Sequence, residues 1–178
     1  MLTLVLGANG SGKSVFAERM AAALSDTRVY LATMRPVGAA GAARVAKHRA
    51  QRAGLGFETR ELPDSVANVE LPSDAAVLLE DVSNLLANRL FERSGSPEDV
   101  LQEILALKRR CRALVLVSIS GLNDAAYSGE TGAYIRALNA LNDCLAACAD
   151  TVVELKNGRP TVRKGTLDES LIHRNPHI

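Results

Sequence analysis

Short apolar runs alternate along this chain with segments of helical spacing, and polar or glycine-rich intervals separate them. Leu2–Leu6 reads as a buried strand. Lys13 to about Leu24 reads as a helix, with Val15, Phe16, Met20 and Ala23 near helical spacing. Ser25-Asp26 ends it, and Arg28–Ala32 is a second strand. Met34–Ala40, rich in Pro, Gly and Ala, reads as a loop. A basic helix follows over about Gly41–Ala53, and Phe57–Glu61 is a short extended segment. Ala75–Glu80 is a buried strand ending in acids, and Val82–Phe91 is helical. Gly95-Ser96-Pro97 breaks the chain before a helix over Glu98–Cys111, with Pro97 suited to its first turn. Ala113–Ser118 is a further apolar strand, Ile119–Gly132 a polar loop and Tyr134–Ala147 a long helix. Thr151–Leu155 and Pro160–Val162 flank Asn157-Gly158, a strong hairpin signal.

Continuously apolar strands alternating with helices predict an α/β fold: a mostly parallel central sheet with helices on both faces and a C-terminal β-hairpin. The 178 residues fit one domain, assigned to 1–165, followed by a polar, loose tail over 166–178. Apolar content of 47% with only 3% aromatics and no Trp makes the core aliphatic. A net charge of +1 gives no reason to expect a nucleic-acid or membrane surface. No run approaches the roughly 20 apolar residues of a membrane span, and no signal peptide is visible. Cys111, Cys144 and Cys148 form no C-x-x-C pair, which fits reduced thiols in a cytoplasm. Cys144 and Cys148, four residues apart, read as buried core thiols rather than metal ligands. His173 and His177 share that spacing within the tail and read as solvated.

The chemistry begins directly after the first strand. Gly7, Ala8, Asn9, Gly10, Ser11, Gly12, Lys13 and Ser14 form a complete P-loop, G-x-x-x-x-G-K-S, between a strand and a helix. The glycines let backbone N–H groups turn inward onto phosphate oxygens. Lys13 brings positive charge to the outer phosphates, Ser14 is placed to hold Mg²⁺, and the helix N-terminus adds its dipole. A strand ending in Glu80-Asp81 is the expected partner, lying beside the first strand with one acid toward the metal region. Adjacent strand residues point to opposite sides, so one of the two acids faces the phosphates.

Arg44, His48 and Arg52 recur at four-residue spacing, so all three share a helix face. Arginines beside a neutral imidazole could hold phosphates around a nucleophile; the plain alternative is a solvated basic face.

With these residues in place the chain resembles the bifunctional adenosylcobinamide kinase / adenosylcobinamide-phosphate guanylyltransferase family of cobalamin biosynthesis. The resemblance covers most of residues 1–156. It rests on the P-loop, on Tyr30-Leu31-Ala32-Thr33, on Arg44-Val45-x-x-His48-x-x-x-Arg52 and on Phe57-x-Thr59-x-Glu61. Leu78-Leu79-Glu80 with Asn88, and Asn142 through Val152, also follow the family's pattern. The resemblance implies phosphorylation of adenosylcobinamide with ATP or GTP. It also implies GMP transfer from GTP through a guanylylated histidine, giving adenosylcobinamide-GDP. That histidine maps to His48, with Lys13 as its catalytic companion. The P-loop residues, Thr33, Arg44, Arg52, Glu61 and Glu80 would bind nucleotide, and Ser14 and Glu80 would hold Mg²⁺. The assembly implied is a cytoplasmic homotrimer acting on a nucleoside triphosphate and a corrinoid.

The chain departs from the pattern in several places. Ala39 and Ala40 stand where the family has Asp-Glu, and Lys47 replaces a histidine that some members carry. Ile119-Ser120-Gly121-Leu122-Asn123-Asp124 replaces Asn-Glu-Val-Gly and its loop, and Arg136 and Asn139 replace Asp and Gly. Two other readings compete: a P-loop kinase for a different small molecule, and a nucleotide-dependent regulatory module without transfer chemistry. A dead module would be expected to lose Lys13, Ser14 or the strand-end acid, and all are present.

Overall fold

Strands that are apolar on both sides belong in the middle of a sheet, with helices covering both faces. The computed structural model bears this out over the residues it describes, 1–36 and 38–168, apart from the side chains at positions 40, 44, 47 and 51. Of the expected tail, 166–168 are described: the Thr166 carbonyl accepts the Thr151 hydroxyl and Leu167 packs on the sheet core; the remainder, with His173 and His177, lies outside the described residues.

The order is β1 (Leu2–Gly7), α1 (Lys13–Leu24), β2 (Arg28–Ala32), α2 (Gly38–Gln51), β3 (Phe57–Glu61) and β4 (Ala76–Glu80). It continues with α3 (Val82–Glu92), α4 (Pro97–Lys108), β5 (Ala113–Ile119), α5 (Gly129–Cys148), β6 (Thr151–Lys156) and β7 (Arg159–Lys164). The strands form one sheet in the order β3-β2-β4-β5-β1-β6-β7. All neighbours run parallel except β6 and β7, whose antiparallel pairing is the predicted hairpin. Asn157 and Gly158 both take positive φ in its turn, which matches the strand twist.

Alternate strand residues feed two cores. On one face Leu4, Leu31, Val77, Leu79, Leu114 and Leu116 meet Leu85 and Leu86 of α3, Ile104 and Leu107 of α4, and Leu138 and Leu141 of α5. On the other, Val5, Tyr30, Leu78, Val115 and Val117 meet Ala17, Met20 and Ala21 of α1. No helix of the described residues is long and apolar enough to cross a membrane.

Several expectations need correction. The strand that ends in acids, β4, does not lie beside β1, because β5 stands between them. Helix α2 starts at Gly38, inside the predicted loop, and ends at Gln51. The Arg52–Leu55 turn and the positive φ of Gly54 stop it there. Helix α4 ends at Lys108 rather than Cys111, where Arg110 N–H bonds back three residues to the Leu107 carbonyl. Part of the predicted 119–132 loop is ordered: a 3₁₀ turn spans Asp124–Ala126, and α5 already begins at Gly129. Cys144 and Cys148 are exposed, not core. The apolar face of α5 consists instead of Leu138, Leu141 and Leu145.

Leu116 is fully buried on β5 and pairs with Leu4 and Leu79 on the flanking strands. Leu116→Ala is therefore expected to lower the unfolding free energy by about 2–5 kcal/mol. Urea titration should show the loss as a lower midpoint with an unchanged slope.

Candidate functional site

Parallel strands place their C-terminal ends at one edge of the sheet, and that edge carries a cleft of about 1240 Å³. Its floor is the loop between β1 and α1. A Cβ on Gly7 would stand 2.4 Å from Ser11 Oγ and 2.8 Å from the Leu155 carbonyl oxygen, so only glycine lets the loop close. Gly10 and Gly12 have φ of 74° and 90°. The loop is braced from outside by the hairpin turn, where Gly158 N–H donates to the Ser11 carbonyl at 2.9 Å. Helix α1 starts at Lys13, so its unpaired N–H groups open toward the loop. Lys13 is buried, and its Nζ donates to the Ala8 carbonyl at 3.1 Å. Burial lowers its pKa, and the charges of Asp81 and Glu80 oppose that shift.

Of the two strand-end acids, Glu80 meets the P-loop. It is 8% exposed, and the Ser14 hydroxyl donates to its Oε1. Burial raises the Glu80 pKa against the opposing Ser14 hydrogen bond and the Lys13 charge. Asp81 also lines the cleft, contrary to the expectation that one acid alone would face it, and its Oδ1 accepts the Asn84 N–H at 2.6 Å as the cap of α3. Burial pushes its carboxyl up to about 6.

Helix α2 forms a wall of the cleft with His48, Arg49 and the following Arg52. His48 Nδ1 lies 3.7 Å from Glu80 Oε1. Arg52 is buried, its guanidinium 3.7 Å above the Tyr30 ring, and it donates to Thr59 Oγ1 at 3.3 Å. Arg49 pairs with the exposed Glu61 at the rim. The Arg44 side chain lies outside the described residues. Thr33 does not face the cleft: it is fully buried, donating its hydroxyl to the Asp81 carbonyl and accepting the Asp81 N–H, each at 2.7 Å. Asn88 ties the same corner together through the Thr33 and Pro63 carbonyls.

Lys13, Ser14, His48, Arg52 and Glu80 thus share one cleft, with Glu61 at its edge. Sequence reasoning missed Glu18. It is 1% exposed on α1, and its carboxylate lies within 4.8 Å of ligand atoms from His48 and Glu80. Its signal was available: it follows Ser14 by one helical turn, a charge between the core residues Ala17 and Met20.

A family model described as cobinamide kinase / cobinamide phosphate guanyltransferase matches residues 3–162. Among solved structures, the chain is similar to a prototypical ATPase from the type III secretion system of pathogenic bacteria. That match has 11% identity and a TM-score of 0.53, covering 96% of this chain and 60% of the other. The P4 protein from bacteriophage phi6 in complex with ADP also matches, at 14% identity, TM-score 0.47, 90% of this chain and 52% of that one. The chain therefore spans only about half to three-fifths of these structures, and the first likeness speaks for the fold alone. No curated protein matches the chain.

The site's acids make a pH prediction. Asp81 shifts from 3.8 to about 6 on folding. Between those values the folded chain keeps a proton that the unfolded chain has released, so this contribution to stability is full below 3.8 and lost as pH rises to about 6. Asp81→Asn keeps a cap acceptor but cannot titrate. Urea midpoints measured from pH 4 to 7 should show the variant gaining on the parent across that window and holding its lead above it.

Proposed function

The chain belongs to the cobinamide kinase / cobinamide phosphate guanyltransferase family, and we propose that it carries out both reactions in the one cleft. The observation that carries this reading is the placement of His48 opposite Ser14 and Glu80, so that a phosphate site and a histidine face each other.

In the first reaction the P-loop amides and Lys13 hold a nucleoside triphosphate. The γ-phosphorus–oxygen bond to the β-phosphate breaks, and the hydroxyl of the cobinamide arm takes the phosphoryl group and gives up its proton. In the second, an imidazole nitrogen of His48 attacks the α-phosphorus of GTP and pyrophosphate leaves. A phosphate oxygen of cobinamide phosphate then displaces the histidine, giving the GDP ester. The carboxylate beside Nδ1 favours a ring with its proton on that side, leaving Nε2 as the nucleophile. Arg52, fixed by Tyr30 and Thr59, supplies positive charge to the phosphates.

Mg²⁺ is part of the proposal. The fit rests on hard oxygen donors: the Ser14 hydroxyl, and a Glu80 carboxylate whose Oε2 is buried without a hydrogen bond among the described residues. Ser14 and Glu80 would hold the ion, which neutralises charge on the phosphates when bound. Thr33 acts indirectly in this scheme, by fixing Asp81 and so the end of β4. We further propose residues 1–165 as a single nucleotide-binding domain, in a homotrimer working in the cytoplasm.

Two outcomes are expected. Incubation with GTP and Mg²⁺ should add one acid-labile GMP to the intact protein by mass spectrometry, and His48→Ala should abolish the adduct; an adduct that persists in the variant places the nucleophile elsewhere. Lys13→Ala should cut phosphoryl transfer at least about 100-fold, the loss typical of one preorganised contact to transition-state charge. Circular dichroism should show its fold retained.

A further inference from the structure

Glu18, His48 and Glu80 come from three separate elements, α1, α2 and the end of β4. Each offers one ligand atom, and these atoms all lie within 4.8 Å of one another. Two of the three residues are almost wholly buried, Glu18 at 1% and Glu80 at 8%. His48 and Glu80 line the cleft, which gives an ion a path to the cluster. The donor set is two carboxylate oxygens and one imidazole nitrogen. That set suits an open site for Zn²⁺ or Co²⁺, with a position left for water. It suits Mg²⁺ poorly, because Mg²⁺ prefers oxygen ligands and near-octahedral geometry. The nearby cations oppose a further positive charge, but Lys13 is directed at the Ala8 carbonyl and Arg52 at the Tyr30 ring and Thr59.

We propose that Glu18, His48 and Glu80 form a second cation site, which binds a transition-series divalent ion such as Zn²⁺ and thereby locks the cleft. An ion held there engages the imidazole that the transfer reaction needs. It also takes the Glu80 carboxylate away from Ser14 and joins α2 to α1 and β4 through metal bonds. The occupied form is therefore resting or inhibited, and chelation releases it. The site's existence does not depend on His48 being guanylylated; only its inhibitory consequence does.

The test uses the full-length chain, stripped of metal and without nucleotide. Co²⁺ should produce visible d–d bands on binding, Zn²⁺ should displace it, and excess Mg²⁺ should not. Losing even an outer-shell partner typically weakens metal binding roughly 10–100-fold. His48→Ala and Glu18→Gln should therefore each weaken Co²⁺ binding by at least about tenfold. His48 sits half-exposed on α2, so its variant keeps the test valid where Glu18→Gln fails to fold. Cys144→Ser and the His173→Ala/His177→Ala pair should leave the bands intact. Absence of bands, or bands of equal affinity in His48→Ala, overturns the site. Either result leaves the GMP-adduct experiment unaffected, so the two readings fail separately.

Discussion

The hydrogen bond from Ser14 to Glu80 joins residues 66 positions apart in the chain, and the rest of the site is arranged around it. It exists because β1 and β4 run the same way and end at the same edge of the sheet, even though β5 separates them. Glu80 is buried there, and a buried carboxylate is costly unless its surroundings supply compensating groups. Ser14 supplies a donor, and Lys13 and Arg52 supply charge. These are the groups that a triphosphate also needs, so apo stability and phosphate binding draw on the same side chains. A ligand that arrives with its own cation must therefore exchange partners with the site rather than simply fill it.

The other wall depends on register. Strands β2 and β3 pair so that Tyr30 sits beside Thr59, and Ala32 beside Glu61. One cross-strand pair then receives Arg52, through its ring face and its hydroxyl together. The next pair on that face, Ala32 beside Glu61, brings Glu61 to Arg49. Slipping β3 by one residue would turn Thr59 and Glu61 to the opposite face and release both arginines. The short motifs on β2, α2 and β3 are thus parts of one contact set, which positions α2 and hence His48.

Much of this was legible in the sequence, for reasons that also explain what was not. The P-loop is a local motif whose glycine and lysine spacing carries its own chemistry, so its geometry was readable without tertiary information. Helix registry placed His48 and Arg52 near each other for the same reason. Strand order is not local: nothing in Leu78-Leu79-Glu80 reveals that β5 intervenes before β1. Thr33 stands next to the cleft in sequence but is turned inward, because the corner between β2 and α3 needs its hydroxyl for the Asp81 backbone. Cys144 and Cys148 looked apolar by residue type, yet α5 buries its leucines and leaves the thiols outside. Glu18 was overlooked because a single charge on an apolar helix face reads as noise until the opposing residues are known.

Some of the departures from the family pattern lie in the 119–124 loop and on α5, apart from Ala39, Ala40 and Lys47 on α2, and the loop and α5 changes meet. Asn139 donates to the Leu122 carbonyl at 3.4 Å, so a changed helix residue meets the changed loop. Beneath them the base of that loop is clasped by polar groups: Asn142 donates to the Ile119 carbonyl at 2.9 Å, and the Ile119 N–H donates to Ser83 Oγ at 2.9 Å. Tyr134 completes the clasp through the Ser83 carbonyl at 3.0 Å. Ser83 lies only three residues beyond Glu80, in the first turn of α3. The clasp therefore separates two kinds of change. Substitutions above it reshape the surface of the 119–132 loop, while the strand end that presents Glu80 keeps its position. A chain can diverge on that side without moving the strand end that carries Glu80.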